Sequence, residues 1–154
     1  NKKSFSAIFS LKNPAINKTD LSAVLFQLCL KVGKRCYKQK MGARAVAWWA
    51  EGESFKLSGK LHKKEEMING WEIFREIYPK VPEFKNKVRK VVVVIYDLQK
   101  KVWQKNILTE KEKFRETSEV AEKINNKYGE GTIFPGTILG NKKVPDFIGF
   151  GNIE

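Results

Sequence analysis

Residues 3–12 alternate between apolar and polar positions. Phe5, Ala7, Phe9 and Leu11 fall on one side, and Ser4, Ser6, Ile8 and Ser10 on the other. Period two predicts a half-buried strand whose outer face is small and hydroxyl-rich. Asn13-Pro14 breaks that pattern. From Asp20, a helix-capping residue type, the period changes. Leu21, Val24, Leu25, Leu28, Val32 and Cys36 recur as one apolar helical stripe, and Met41-Gly42 ends it. Alternation then returns twice, over residues 44–51 and 54–62, with the short turn Glu51-Gly52-Glu53 between them. In the first of these strands Val46, Trp48 and Ala50 oppose Ala45, Ala47 and Trp49, so one tryptophan is core and the other faces outward. In the second, Phe55, Leu57 and Leu61 face the core, while Lys56, Ser58, Lys60 and His62 face out. A second helix is expected over residues 64–78, with Met67, Trp71, Phe74 and Tyr78 on one face and Pro79 and Pro82 as its stop. Residues 88–98 are β-branched and predict a central strand.

The order strand, helix, strand, strand, helix, strand packs most simply as an α+β two-layer sandwich. Four strands form one sheet and both helices cover the same face (βαββαβ). The other face is left open and, from its Ser, Lys, His and Arg positions, is expected to be polar and basic. After Gln99 the character changes. An irregular link over residues 100–108 leads to a charged helix over residues 109–128, whose thin apolar stripe is Phe114, Ala121, Ile124 and Tyr128. A Gly/Pro-punctuated tail follows. The expected division is therefore a domain at 1–99, then a linker, helix and tail at 100–154. That stripe is too narrow for a core of its own, so the tail helix is expected to dock on something else or stay mobile.

Charge sharpens this outline. The chain of 154 residues carries 30 Lys+Arg against 17 Asp+Glu, a net charge of +13. Residues 1–63 hold 13 of those cations and only three acids, a net of +10. Such an imbalance stores self-repulsion that a polyanionic partner relieves, so nucleic acid is the first class of ligand to consider.

Catalysis has little to stand on. The carboxylates of the first 99 residues are scattered over caps, turns and helix surfaces rather than converging on a metal. Glu65-Glu66 follows the ordinary preference for acids in a first helical turn. Gly129-Glu130-Gly131 lacks the strand and helix of a phosphate loop, and the single histidine, His62, has no neighbouring nucleophile. Cys29 and Cys36 are two helical turns apart, about 10 Å, beyond disulfide reach. They read as reduced core thiols of a cytoplasmic protein. No apolar run has the roughly 20 residues that span a bilayer, and the initial Asn1 hints at a piece of a longer protein.

Binding is better supported. Lys56, Ser58 and Lys60 occupy one strand face at intervals of roughly 6–7 Å, close to the spacing of successive phosphates. Ser4 and Ser6 on another strand would let hydroxyls and main-chain amides approach phosphate oxygens.

Several segments are similar to a known family. Lys3-Ser4-Phe5-Ser6 opens the first strand and a basic amphipathic helix follows. Arg44-Ala45-Val46 opens the hairpin, Trp71-Glu72-Ile73-Phe74 lies in the second helix, and Val88-Arg89-Lys90-Val91-Val92-Val93-Val94 forms the last strand. The tail adds the stretch from Ala121 to Ile133 and the closing Asp146-Phe147-Ile148-Gly149-Phe150-Gly151. In this order and spacing the chain resembles the little-finger (polymerase-associated) domain of Y-family translesion DNA polymerases, the polymerase IV/V type. The resemblance implies a βαββαβ domain whose open sheet lies in the major groove of primer–template duplex and grips phosphates without reading sequence. By position it implies DNA contacts at Lys3, Ser4, Ser6, Arg44, Lys56, Ser58, Lys60, Arg89 and Lys90.

The resemblance also implies that the catalytic carboxylates and two Mg²⁺ belong to a palm domain that no part of this chain matches. The fragment itself would then be non-catalytic and need no cofactor, within a parent DNA polymerase acting in DNA repair. Its partners would be duplex DNA and the parent's palm, fingers and thumb domains, with no membrane. Gln104-Lys105-Asn106-Ile107-Leu108 stands where a sliding-clamp peptide would, making Gln104, Ile107 and Leu108 candidate clamp contacts, although the peptide lacks an aromatic final residue. Two rivals remain. An RRM-like RNA-binding module needs aromatics on the open faces of its two central strands, and the Lys and Ser of residues 54–62 count against it. A protein-interaction domain would use the charge only for solubility.

Overall fold

The computed structural model describes residues 3–100, 110–129, 133–136 and 147–148. Along the chain these form β1 (Phe5–Ala15), α1 (Lys18–Lys38), β2 (Met41–Glu51), β3 (Lys56–Met67), α2 (Gly70–Ile77), a 3₁₀ turn (Tyr78–Lys80), β4 (Val88–Lys100), α3 (Glu110–Tyr128) and β5 (Phe147–Ile148). The four long strands make an antiparallel sheet in the order β3-β2-β4-β1, and β5 adds two residues beside β1. α1 packs across β1, β4 and β2, and α2 packs on α1 and β3. The fold is the α+β two-layer sandwich expected from the sequence.

The core lies between sheet and helices. Leu21, Val24, Leu25, Leu28, Val32 and Cys36 of α1 are fully buried against Phe9 and Leu11 of β1, Val46, Trp48 and Ala50 of β2, and Val91, Val93 and Ile95 of β4. Phe26 adds edge-to-face contacts with Trp71 and Phe74 at 5.0 and 5.3 Å. Two close approaches depend on glycine. A Cβ on Gly70 would lie 2.6 Å from the Cys29 carbonyl oxygen, so α2 can cross α1 backbone to backbone. A Cβ on Gly59 would lie 2.7 Å from Trp48 Nε1, so the indole lies across β3 at that point. Cys29 and Cys36 are buried thiols, and burial pushes the Cys29 thiol up out of the range in which it ionises.

Several boundaries differ from the sequence expectation, each for a physical reason. β1 runs through Asn13-Pro14 to Ala15, because the proline sits where the ladder to β4 shifts register between Ser10 and Ala15, and a bulge tolerates a missing N–H. The N-cap of α1 is Asn17, whose side chain accepts from the Asp20 amide at 2.9 Å; Asp20 lies inside the first turn and accepts from the Ile16 amide. α1 ends at Lys38, and Met41-Gly42 already belongs to β2. The largest change concerns residues 64–67. Lys64-Glu65-Glu66-Met67 has helical propensity, yet it extends β3, with Met67 pairing to Ala43. α2 starts only at Gly70, behind Asn69, which accepts from the Glu72 amide at 2.9 Å, while Glu72 Oε1 accepts from the Ile68 amide.

That capped turn is also where α3 docks. Arg115 of α3 donates from Nε to Glu72 Oε2 at 2.6 Å and from Nη2 to the Glu66 carbonyl at 2.9 Å. Asn69 donates to Ser118 Oγ at 2.9 Å, and the Arg75 guanidinium lies 4.7 Å from the Phe114 ring centre. The tail helix thus docks on the chain's own α2, mainly through polar groups. Ala121 of the expected stripe is buried, whereas Tyr128 is 67% exposed and outside it.

Candidate nucleic-acid interface

The face of the sheet opposite the helices is laid out by the ladder register as rows running from β3 to β1. One row is Lys56, Glu51, Lys90, Ser10; the next is Ser58, Trp49, Val92, Ile8; the third is Lys60, Ala47, Val94, Ser6. A fourth begins His62, Ala45, Tyr96. Alternation sends these residues to one side and Phe9, Val46, Trp48, Val91 and Val93 to the other.

The rows separate the face into edges and a centre. Lys56, Ser58, Lys60 and His62 stand exposed on β3, with Ser6 and Ser10 exposed on β1 and Ser4 just before that strand. Three strand spacings, roughly 14 Å, lie between the two edges. The centre is not basic. Trp49, Ala47, Val94 and Tyr96 are half-buried there, Ile8 is 38% exposed, and Ala45 and Val92 are buried yet lie outside the core cluster. The expected uniformly polar and basic face is therefore a polar rim around an apolar middle. Residues 91–96 are apolar at every position, so alternation along the strand carries no sign of which face is wet.

Two carboxylates stand among the cations. Lys90 Nζ lies 3.7 Å from Glu51 Oε1, and Glu51 also pairs across the ladder with Lys56. At the other end His62 Nε2 donates to Asp97 Oδ2 at 2.7 Å, and Gln99 donates to Asp97 Oδ1 at 3.0 Å. The hydrogen bonds from His62 and then Gln99, with the nearby charge of Arg44, hold the Asp97 carboxyl below its ordinary range. Asp97 adopts φ 52°, a conformation that aspartate tolerates better than most residues. Spacing alone does not reveal this cluster, because Arg44, His62 and Asp97 come from three strands.

The sequence-derived contact residues divide accordingly. Ser6, Lys56, Ser58, Lys60 and Lys90 share the open face. Lys3 and Ser4 are exposed immediately before β1. Arg44 sits at the Asp97 end, half-buried, its Nε without a hydrogen-bond partner among the described residues. Arg89 is not brought to the same surface as Lys90: neighbours on a strand point to opposite faces, and its guanidinium donates to the Lys12 carbonyl at 3.4 Å. Much of the early positive charge belongs to the helical layer. Lys31 lies 3.9 Å from the Phe9 ring centre and Lys18 4.5 Å from that of Tyr78, and Arg35 donates to the Ser6 carbonyl at 2.6 Å. Gln104, Ile107 and Leu108 lie outside the described residues.

The Lys and Ser of residues 54–62 count less against an RRM-like module than expected, because β3 is an outer strand. The central strands are β2 and β4, and they carry Trp49 and Tyr96 on the open face. Among the described residues, no group of three or more His, Cys, Asp and Glu is placed to hold a metal ion, and no helix is long and apolar enough to cross a membrane.

No family model matches the chain, and no curated protein does. Among solved structures, it is similar to one described as a complex of the beta-clamp processivity factor and the little finger domain of PolIV. The match has a TM-score of 0.47 and 9% identity, and covers 70% of this chain and 96% of that one. A likeness of that size carries no argument about function.

Proposed function

We propose that the open sheet face grips duplex DNA through its phosphates, without reading sequence, as the DNA-holding domain of a lesion-bypass DNA polymerase. The observation that supports this reading is the pair of exposed polar edges, Lys56, Ser58 and Lys60 on β3 and the serines of β1, set roughly 14 Å apart. A B-DNA major groove is about 12 Å wide, so a sheet seated in it brings its edges against the two flanking backbones. Between them Ala47 and Val94 offer no side-chain hydrogen bond to a base edge, leaving Trp49 Nε1 and the Tyr96 hydroxyl as the polar atoms of that centre, which suits binding that relies mainly on phosphates. The polymerase assignment rests on the order and spacing of the segments that resemble little-finger domains.

Fluorescence anisotropy of a labelled 20-bp duplex, read from low to moderate salt, tests the grip. The chain should bind with little sequence preference and a steep salt dependence. Lys56→Ala with Lys60→Ala should weaken binding and flatten the log–log salt slope by about 0.9 for each phosphate no longer neutralised. Unchanged affinity and slope would remove β3 from the interface. A stronger affinity for structured protein partners than for any nucleic acid would favour the protein-interaction reading instead.

A further inference from the structure

A grip on duplex phosphates uses the rim of the open face and leaves its middle without a task. That middle carries the two aromatic side chains that the central strands turn away from the helices, Trp49 on β2 and Tyr96 on β4, both half-buried. Trp49 is opposite Val92, Ala47 opposite Val94, and Ala45 opposite Tyr96. The aromatics are thus two rows apart, about 14 Å between Cα atoms, with only Ala47 and Val94 in the intervening row of the two strands. Small side chains there keep the ground between the two rings low. Ile8, beyond Val92 in the Trp49 row, extends the apolar strip toward β1.

The surroundings say what such a strip would take. Along β3 stand Lys56 and Lys60, exposed, one row to either side of the Trp49 row. An aromatic platform flanked by a line of cations fits a strand that offers both base faces and phosphates. A paired duplex shows only base edges and hides its base faces in the stack, so it has no use for the rings. We propose that the same face takes single-stranded DNA, its unpaired bases stacking on Trp49 and Tyr96 while Lys56 and Lys60 follow the phosphates. This inference rests on the reading that the open face meets nucleic acid, and adds a second form of it. The two modes share one surface and therefore exclude each other.

The test compares the full chain's affinity for three probes at fixed salt: oligo(dT) of 15 nucleotides, an abasic strand of the same length, and the 20-bp duplex. The abasic strand keeps the phosphates and removes the bases. Oligo(dT) should bind at least about fivefold tighter than the abasic strand, the low end of base–aromatic stacking, and unlabelled duplex should displace it. Trp49→Leu keeps apolar bulk and removes the π face. It should abolish most of the oligo(dT) preference and leave the abasic and duplex affinities in place. Tyr96→Leu, on the other central strand, should act in the same direction and guards against a Trp49 variant that fails to fold. Equal affinity for oligo(dT) and the abasic strand overturns the proposal, as does an equal fall for all three probes in both variants. If the wild-type chain binds no duplex yet prefers oligo(dT) to the abasic strand, the duplex reading falls and this one stands.

Discussion

The two faces of the sheet are built from the same four strands and differ in what covers them. On the helix side, Phe9, Val91, Ala50 and Leu57 form one cross-strand row, and Ala7, Val93, Trp48 and Gly59 the next. The inner members of both rows are sealed by α1. On the open side the rows that begin with Ser58 and Lys60 on β3 pass through an apolar centre and end in Ile8 and Ser6 on β1, while the Lys56 row passes through Glu51 and Lys90. Adjacent tryptophans show the contrast most directly: Trp48 is 1% exposed, while Trp49 keeps part of its surface in water. One residue of register separates a packing residue from a binding candidate. The covered face supplies the stability that lets the open face hold unbalanced cations and a wet aromatic strip.

Substituting the two tryptophans in turn is the severest way to break that comparison. Trp48→Ala should cost about 3–5 kcal/mol, because it leaves a cavity in a core sealed by two layers. Trp49→Leu should cost about 1 kcal/mol or less, the usual scale for a change outside the packed core. Urea denaturation midpoints measure both. Similar losses at the two positions would mean that the open face is as tightly packed as the covered one, and the functional contrast would lapse.

The joint between α2 and α3 comes next in size. Arg115 and Glu72 are 17% and 7% exposed at the side chain, so neither is freely solvated. Arg115→Ala would leave Glu72 Oε2 and the Glu66 carbonyl without this donor, an effect on the order of 2 kcal/mol for a largely buried charged acceptor. The contact is local, so the cost should appear as easier opening of α3 rather than of the sheet. Faster amide exchange over residues 114–128, with β4 amides unchanged, is the expected result. Equal acceleration in β4 would show that α3 belongs to the same cooperative unit as the covered face.

These two regions also mark how far the sequence could be read. Clean alternation in residues 3–12 places Phe9 in the core and Ser6 outside it, because only one side of that strand is apolar. In residues 44–51 alternation puts Trp48 and Trp49 on opposite sides, but both sides are apolar and only the structure shows that Trp48 is the core one. The period of α1 names its buried stripe correctly. Where both sides of a strand are apolar, as in residues 91–96, the pattern holds no information about faces, and the aromatic centre is invisible until the strand order places Tyr96 beside Ala45. Lys64-Glu65-Glu66-Met67 misleads for the opposite reason. Its residues favour a helix locally, but pairing of Met67 with Ala43 and the reach of Arg115 to the Glu66 carbonyl hold the segment extended. Contacts from distant parts of the chain decide it. The Arg44, His62, Asp97 cluster is unreadable because three strands must be in register before it exists. Likewise, the separation of Arg89 from Lys90 follows from alternation, which a count of basic residues ignores.

The smallest expected effect concerns the one acid that works against the open face's charge at its Tyr96 end. Asp97 accepts from His62 and Gln99 on a surface proposed to meet phosphates, so it both orders the imidazole and repels the ligand. Asp97→Asn removes the repulsion and leaves the side chain nearly the same shape. Affinity for the 20-bp duplex should rise about twofold to threefold at low salt, the scale of one exposed charge acting through water. Stability should move the other way, with a definite sign in pH. The folded-state pKa of Asp97 is depressed by its hydrogen bonds from His62 and Gln99, so its contribution is present above the unfolded value of about 3.9 and fades as pH falls through the folded one. Wild type should therefore exceed Asp97→Asn in urea midpoint at pH 6, and the two should converge as pH falls below the folded-state value. A variant that binds duplex more weakly would reverse the assignment. Asp97 would then serve the interface by holding His62 in position, and the end of the open face at Tyr96 would depend on order more than on charge.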